Sequence, residues 1–151
     1  MELFKLLLHL EHQVLNGTTR RNIRKVTNDT RKTQANDVFV CIKGFRQDGH
    51  EWIDEAIRKG AVAVVIENNQ KDLVENIPNE ITVITVEDTR YALSVLAAAY
   101  YGFPAEKIKI IGITGTKGKS TTTYYVVLNL YKLHIMQSQG KSRANLMKTI
   151  D

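Results

Sequence analysis

One cysteine, two prolines and one tryptophan in 151 residues leave little material for several kinds of protein. A lone thiol, Cys41, cannot close an internal disulfide and has no Cys or His at metal-ligand spacing, so neither a disulfide scaffold nor a zinc module is encoded. Set between Val40 and Ile42, it is expected to be a buried strand residue. Long apolar runs are also missing. Leu6-Leu7-Leu8 and the stretch from Ala61 to Ile66 fall far short of the roughly 20 residues of a membrane-spanning helix. At the start, MELFKLLLHLEHQ places Glu2 ahead of its apolar residues, breaks them with His9 and Glu11, and lacks a small-residue cleavage site. No secretory leader is therefore expected, and the expected location is the cytoplasm.

What is present is an ordinary globular composition, 43% hydrophobic and 25% charged, with a net charge of +5. The excess is local. From residue 114 onward there are six basic residues and one acid, while the first 113 residues carry 15 of each. A balanced first part offers no general polyanion surface, so no nucleic-acid partner is expected.

Hydrophobic periodicity divides the chain into alternating elements. Leu3, Leu7, Leu10 and Val14 recur at helical spacing, predicting an amphipathic helix over residues 2–15. A short extended piece, Ile23 to Thr27, follows. Residues 37–42 form a β-rich run opened by polar Asn36 and Asp37, residues 51–59 have helical spacing before Gly60, and residues 61–66 form a second apolar strand. That is one β-α-β unit, expected to close onto a parallel sheet. The helical spacing places Trp52 in the core. After a polar link (67–80), residues 81–86 predict a third strand, and Asp88 can cap a helix with Ala92, Val95, Leu96 and Ala99 on one face. A strand over 108–113, a loop and a helix over 120–133, apolar on several faces and so expected to be buried, complete the pattern. The expected fold is α/β: a small first domain over 1–102, the opening β-loop-α of a second over 103–135, and a tail over 136–151 with little apolar periodicity. One β-α unit cannot bury both faces of its own sheet, so the second domain is expected to be truncated.

The chemistry concentrates in GITGTKGKSTTT, residues 112–123. Gly115 and Gly118 permit backbone angles that turn N–H groups inward, and the helix N-terminus adds its positive end. Lys119 can reach β and γ phosphates, and Ser120 can place its hydroxyl on a magnesium ion bridging them. Ile113 stands where the strict phosphate-loop pattern has its first glycine, so the match is to T-G-T-x-G-K-S.

This loop, with Ile110-Ile111 before it, resembles the ATP loop of the Mur ligases, the ATP-dependent amino-acid-adding enzymes of peptidoglycan synthesis. Asn28-Asp29-Thr30-Arg31, the run from Asp37 to Gly44, Asp48-Gly49-His50 and the stretch from Ala56 to Val65 are similar in order and spacing to the UDP-binding domain of the third- and fourth-step ligases. Tyr100-Tyr101-Gly102-Phe103-Pro104 and the Gly-Thr of the loop point to the third step, which adds meso-diaminopimelate or L-lysine to UDP-MurNAc-L-Ala-D-Glu through an acyl phosphate. The fourth-step, D-Ala-D-Ala-adding ligase is the rival, and a non-enzymatic nucleotide-binding module is the alternative from another class.

The resemblance implies ATP and Mg2+ as cofactors. Thr114, Gly115, Thr116, Lys117, Gly118, Lys119, Ser120 and Thr121 would hold ATP, with Ser120 on the magnesium. It further implies that Thr30 hydrogen-bonds the uridine-sugar nucleotide and that Arg31 serves the diphosphate or braces the loop. Asp48, Gly49 and His50 are either a tight capping turn or a nucleotide contact. Tyr124 and Tyr125 are expected in helix packing. No catalytic residue is expected within these 151 residues, so the chain alone is expected to be inactive. A glutamate, a histidine and a modified lysine would follow further along.

Overall fold

The computed structural model describes residues 1–45, 47–109 and 111–138. Two compact units divide at Ile108. The first contains a five-stranded sheet in the order β1-β5-β4-β3-β2, with β1 Gln13–Asn16, β2 Lys25–Thr27, β3 Asp37–Val40, β4 Ala63–Glu67 and β5 Thr82–Val86. The pairs β2/β3, β3/β4 and β4/β5 are parallel, whereas β1 runs antiparallel along the free side of β5.

Burial on both faces explains why β3, β4 and β5 read as near-continuous apolar runs. On one face Val38, Val40, Val65 and Ile84 pack under α1 (Leu3–Leu7) and α3 (Thr89–Tyr100), through Leu3, Leu6, Leu7, Ala92 and Leu96. On the other, Phe39, Cys41, Val64, Ile66 and Val83 pack under α2 (Ile53–Arg58) and a kinked 3-10 segment, Asn68–Asn76. The Cys41 thiol is fully buried, as expected, and burial, with the charge of Asp48 added, pushes its pKa far up, so it is not a nucleophile. Asp88 caps α3 as expected, accepting from the N–H groups of Arg90 (2.7 Å) and Tyr91 (3.1 Å).

Two expectations fail in the first unit. The helix predicted over 2–15 stops at Leu7, and Gln13–Asn16 is strand β1, Gln13 paired with Thr85 and Val14 with Ile84. Without β1 the outer edge of β5 would expose unpaired N–H and C=O groups, and satisfying them outweighs a few tenths of a kcal/mol of helix propensity per residue. Trp52 is not in the core. A 3-10 turn, Gly49–Trp52, precedes α2, and the indole is 37% exposed.

The second unit holds α5, Lys119–Ser138. No strand forms among the described residues of 108–113. A strand needs a neighbour to pair with, and the described residues of this unit supply none. Nor is α5 buried: Tyr124, Tyr125, Val127, Leu130 and Tyr131 are each at least half exposed. The two tyrosines expected in packing touch each other edge to face at 6.0 Å. Of the tail over 136–151, residues 136–138 continue α5 and residues 139–151 lie outside the described residues. The first unit closes with α4, the short Pro104–Lys107 turn.

Candidate functional site

At the carboxyl ends of β2 and β3 the first unit opens a groove of about 640 Å³, lined by Asn28, Asp29, Thr30, Arg31, Phe39 and Trp52 among others. That is the edge where open parallel sheets receive ligands. The Asn28 to Arg31 wall is built by Asp29, which caps a 3-10 turn over Thr30–Lys32 by accepting the Arg31 N–H at 3.0 Å. The same carboxylate takes the Arg31 guanidinium in a fork, Nε at 2.9 Å and Nη2 at 2.9 Å. Arg31 is thus held against its own turn by Asp29. The Thr30 carbonyl accepts from Lys59 Nζ at 2.9 Å, while no group among the described residues is bonded to the Thr30 hydroxyl. The residue is pinned by its backbone, and its hydroxyl is left over.

The Arg31 side chain is the main cause that holds the Asp29 carboxyl down at about 2, against an ordinary 3.8; burial opposes, and the Arg31 N–H and the charges of Arg31 and Lys32 assist. A carboxyl depressed in the folded state contributes stability above its unfolded pKa and loses it as pH falls through the folded one. The turn over Thr30–Lys32 is therefore expected to stay closed above pH 4 and to open between pH 4 and 2, seen as loss of protection of the Arg31 amide. An Asp29→Asn protein showing the same acid transition would refute this.

Asp48, Gly49 and His50 form a brace. Asp48 Oδ1 accepts the His50 N–H at 3.0 Å and lies 2.6 Å from His50 Nδ1; on the far side of the ring, Nε2 accepts the Glu67 N–H at 3.4 Å. These contacts hold the ring at both of its nitrogens. The ring, 8% exposed, ties the turn before α2 to the end of β4. Burial would raise the Asp48 carboxyl, but the His50 N–H and ring and the charges of His50 and Lys43 hold it below its usual range. Gly49 has a steric reason: a Cβ there would lie 2.5 Å from Ile42 N and 2.8 Å from Ile42 O, breaking the 2.9 Å bond from Gly49 N–H to the Ile42 carbonyl. Gly49 also lines the groove.

In the second unit, Gly115 (φ 147°) and Gly118 (φ 77°) adopt angles that L side chains rarely take. Lys119, the first residue of α5, turns its ammonium back onto the Gly115 carbonyl, and the first helical hydrogen bond runs from Thr122 N–H to the Gly118 carbonyl at 2.9 Å. The N–H groups of Lys119, Ser120 and Thr121 are thus the unpaired donors of the helix start. Thr114, Thr116, Lys117 and Ser120 are all exposed to solvent. Ser120 offers one hydroxyl, and no cluster of three or more His, Cys, Asp or Glu exists among the described residues. No described helix is long and apolar enough to cross a membrane.

Against known proteins, the model of the Mur ligase family catalytic domain matches residues 22–101, more than half the chain. The chain belongs to the Mur ligase family. The matched stretch contains the groove and stops short of the phosphate loop, but longer matches include both. The Mur ligase named UDP-N-acetylmuramoyl-L-alanyl-D-glutamate--2,6-diaminopimelate ligase of Clostridium perfringens is 40% identical over 136 residues, 90% of this chain and 27% of its own length. Its counterpart in Clostridium tetani is 41% identical over 126 residues, 83% of this chain and 26% of its own. Among solved Mur ligases, the D-alanyl-D-alanyl ligase of Acinetobacter baumannii superposes with a TM-score of 0.60 at 26% identity, covering 80% of this chain and 25% of that one. The chain spans about a quarter of the length of the curated relatives it matches. A 136-residue match within 151 residues necessarily contains the phosphate loop.

Sequence reasoning missed one buried feature. Asp37, read as a polar strand opener, is fully buried; its Oδ2 accepts from Arg24 Nη2 at 2.6 Å and from the Gln34 N–H at 2.9 Å. Pairing between residues this far apart has no local sequence signal.

Proposed function

We propose that this chain is the substrate-binding front and ATP loop of the ligase that adds the third amino acid, meso-diaminopimelate, to UDP-MurNAc-L-Ala-D-Glu. The observation that carries the choice of step is the identity of 40% to a relative named for that reaction, against 26% to the solved fourth-step ligase. L-Lysine in place of diaminopimelate is the alternative that the residues leave open.

In this reading the first unit takes the uridine-sugar nucleotide in the Asp29–Arg31 groove. The Thr30 hydroxyl, without a partner among the described residues, gives one hydrogen bond, and Trp52 and Phe39 give the apolar wall that a nucleobase needs. The second unit takes ATP. Its backbone N–H groups and Lys119 meet the phosphates, and Ser120, as a single hydroxyl, would complete a magnesium shell supplied otherwise by phosphate and water. Magnesium would spread the phosphate charge while a carboxylate, a poor electrophile at neutral pH, is converted into an acyl phosphate. We place this chemistry in the cytoplasm.

The test is calorimetric titration of the 151-residue chain with UDP-MurNAc-L-Ala-D-Glu, beside the tripeptide that the fourth step would use. The dipeptide is expected to bind at least as tightly as the tripeptide, and Thr30→Val to weaken it about tenfold, the value of one hydrogen bond left unmade. Preference for the tripeptide would transfer the chain to the fourth step. Unchanged affinity in Thr30→Val would remove Thr30 from the site.

A further inference from the structure

The parallel strands have a second end. The segment TTRRNIRK, residues 18–25, puts four cations into six positions, and the charge balance of the first 113 residues conceals it. In the fold these residues run into the start of β2, and with the approaches to β3 and β4 they enclose a hollow of about 530 Å³ on the edge opposite the Asp29–Arg31 groove. Arg20, Arg21, Arg24, Asn22, Asn36 and Thr18 supply its polar lining, and among the described residues no carboxylate side chain lines it.

Arg21 is held as a strut. Its Nη1 donates to the Val62 carbonyl at 2.8 Å and its Nη2 to the Glu80 carbonyl at 2.7 Å, just ahead of β4 and β5. Both acceptors are neutral, and Nε is buried without a partner. The guanidinium is therefore fixed in place and half-buried, yet no carboxylate neutralises it among the described residues, a costly arrangement for a charge. Arg24 is different, because its charge is matched by Asp37 at 2.6 Å. Arg20 is exposed and, among the described residues, bonded only through its backbone N–H, to Thr18 Oγ1 at 3.2 Å. Asn36 is set in a left-handed turn (φ 66°), its N–H on the Gly60 carbonyl at 2.9 Å and its own carbonyl taking the Arg24 N–H at 2.7 Å. The hollow thus combines two unneutralised guanidinium groups with amide and hydroxyl donors, the donor set suited to an oxyanion with several oxygens.

We propose that this hollow binds a small, multiply charged oxyanion, a phosphoryl or polycarboxylate group, through Arg20 and Arg21 at the end of the sheet opposite the groove. The experiment uses the full chain carrying Lys119→Ala, so that the phosphate loop does not compete. It is titrated with pyrophosphate and, separately, citrate at ionic strength held constant with chloride, and the arginine Nε–H and backbone N–H signals are followed by NMR.

Saturable shifts are expected at Arg20, Arg21 and Asn36, with affinity reduced about tenfold or more by Arg20→Gln, whose β5 signals report that the fold is intact. Arg21→Lys keeps the charge and loses the fork, and is expected to weaken binding as well. Tighter binding of pyrophosphate assigns a phosphoryl ligand, and tighter binding of citrate a carboxylate one. The proposal is overturned if neither anion gives saturable shifts, if Arg20→Gln binds like its parent, or if the loss follows Arg31→Gln on the other edge instead.

Discussion

Replacing Lys119 by alanine is expected to weaken ATP binding by about 30- to 150-fold, the equivalent of roughly 2–3 kcal/mol for charge-assisted hydrogen bonds to phosphate. The ammonium already lies across the loop on the Gly115 carbonyl, so little ordering is needed before it exchanges that neutral acceptor for phosphate oxygens. Gly115 and Gly118 keep the loop open for this approach; a Cβ at Gly118 would meet nothing within 4 Å, and its positive φ, not crowding, is what demands glycine. Fluorescence titration with a labelled ATP analogue reads the effect. Titration with the UDP-sugar dipeptide serves as control, because Thr30 and its neighbours belong to the other compact unit. Undiminished ATP affinity in the Lys119→Ala chain would show that the loop is only a turn.

Truncating Phe39 is expected to cost about 3–5 kcal/mol of stability, a large share of the 5–15 kcal/mol that a domain of this size possesses. The ring is 1% exposed, on β3, an inner strand flanked by β2 and β4, against the Cys41, Ile53 and Val64 side of the core. It also lines the groove. Phe39→Ala should therefore lower the urea midpoint sharply and weaken the UDP ligand beyond what unfolding explains, whereas Phe39→Leu should recover most of the stability and less of the binding. A midpoint shift worth under 1 kcal/mol would mean that the core closes over the gap and that the packing described is wrong.

Legibility in the sequence followed the reach of each interaction. Strands β3, β4 and β5 and helix α3 were readable because two-faced burial writes itself as short runs rich in Val and Ile, and because Asp88 sits directly before the helix it caps. Thr30 and Arg31 were singled out by the family resemblance alone, and the turn that holds them is local, closed by Asp29 next door. Strand β1 could not. Leu3, Leu7 and Leu10 do face the core, and only the open edge of a strand seventy residues on decides that Val14 leaves the helix. Trp52 misled for a smaller reason: the 3-10 turn before α2 shifts the helical phase, turning the indole toward the groove wall. The Arg24–Asp37 pair and the Arg21 strut join residues that no periodicity connects.

The strand order has a consequence for how the chain assembles. Strands β2, β3, β4 and β5 lie side by side in the order in which they are made, each beside the one before it. Strand β1 is synthesised first yet pairs with β5, Gln13 against Thr85. Every other ladder can close as soon as its second strand emerges. Residues 13–16 have no strand partner until β5 exists, so the first of the five strands is the last to be paired, although residues 1–4 can already bond to residues 19–23.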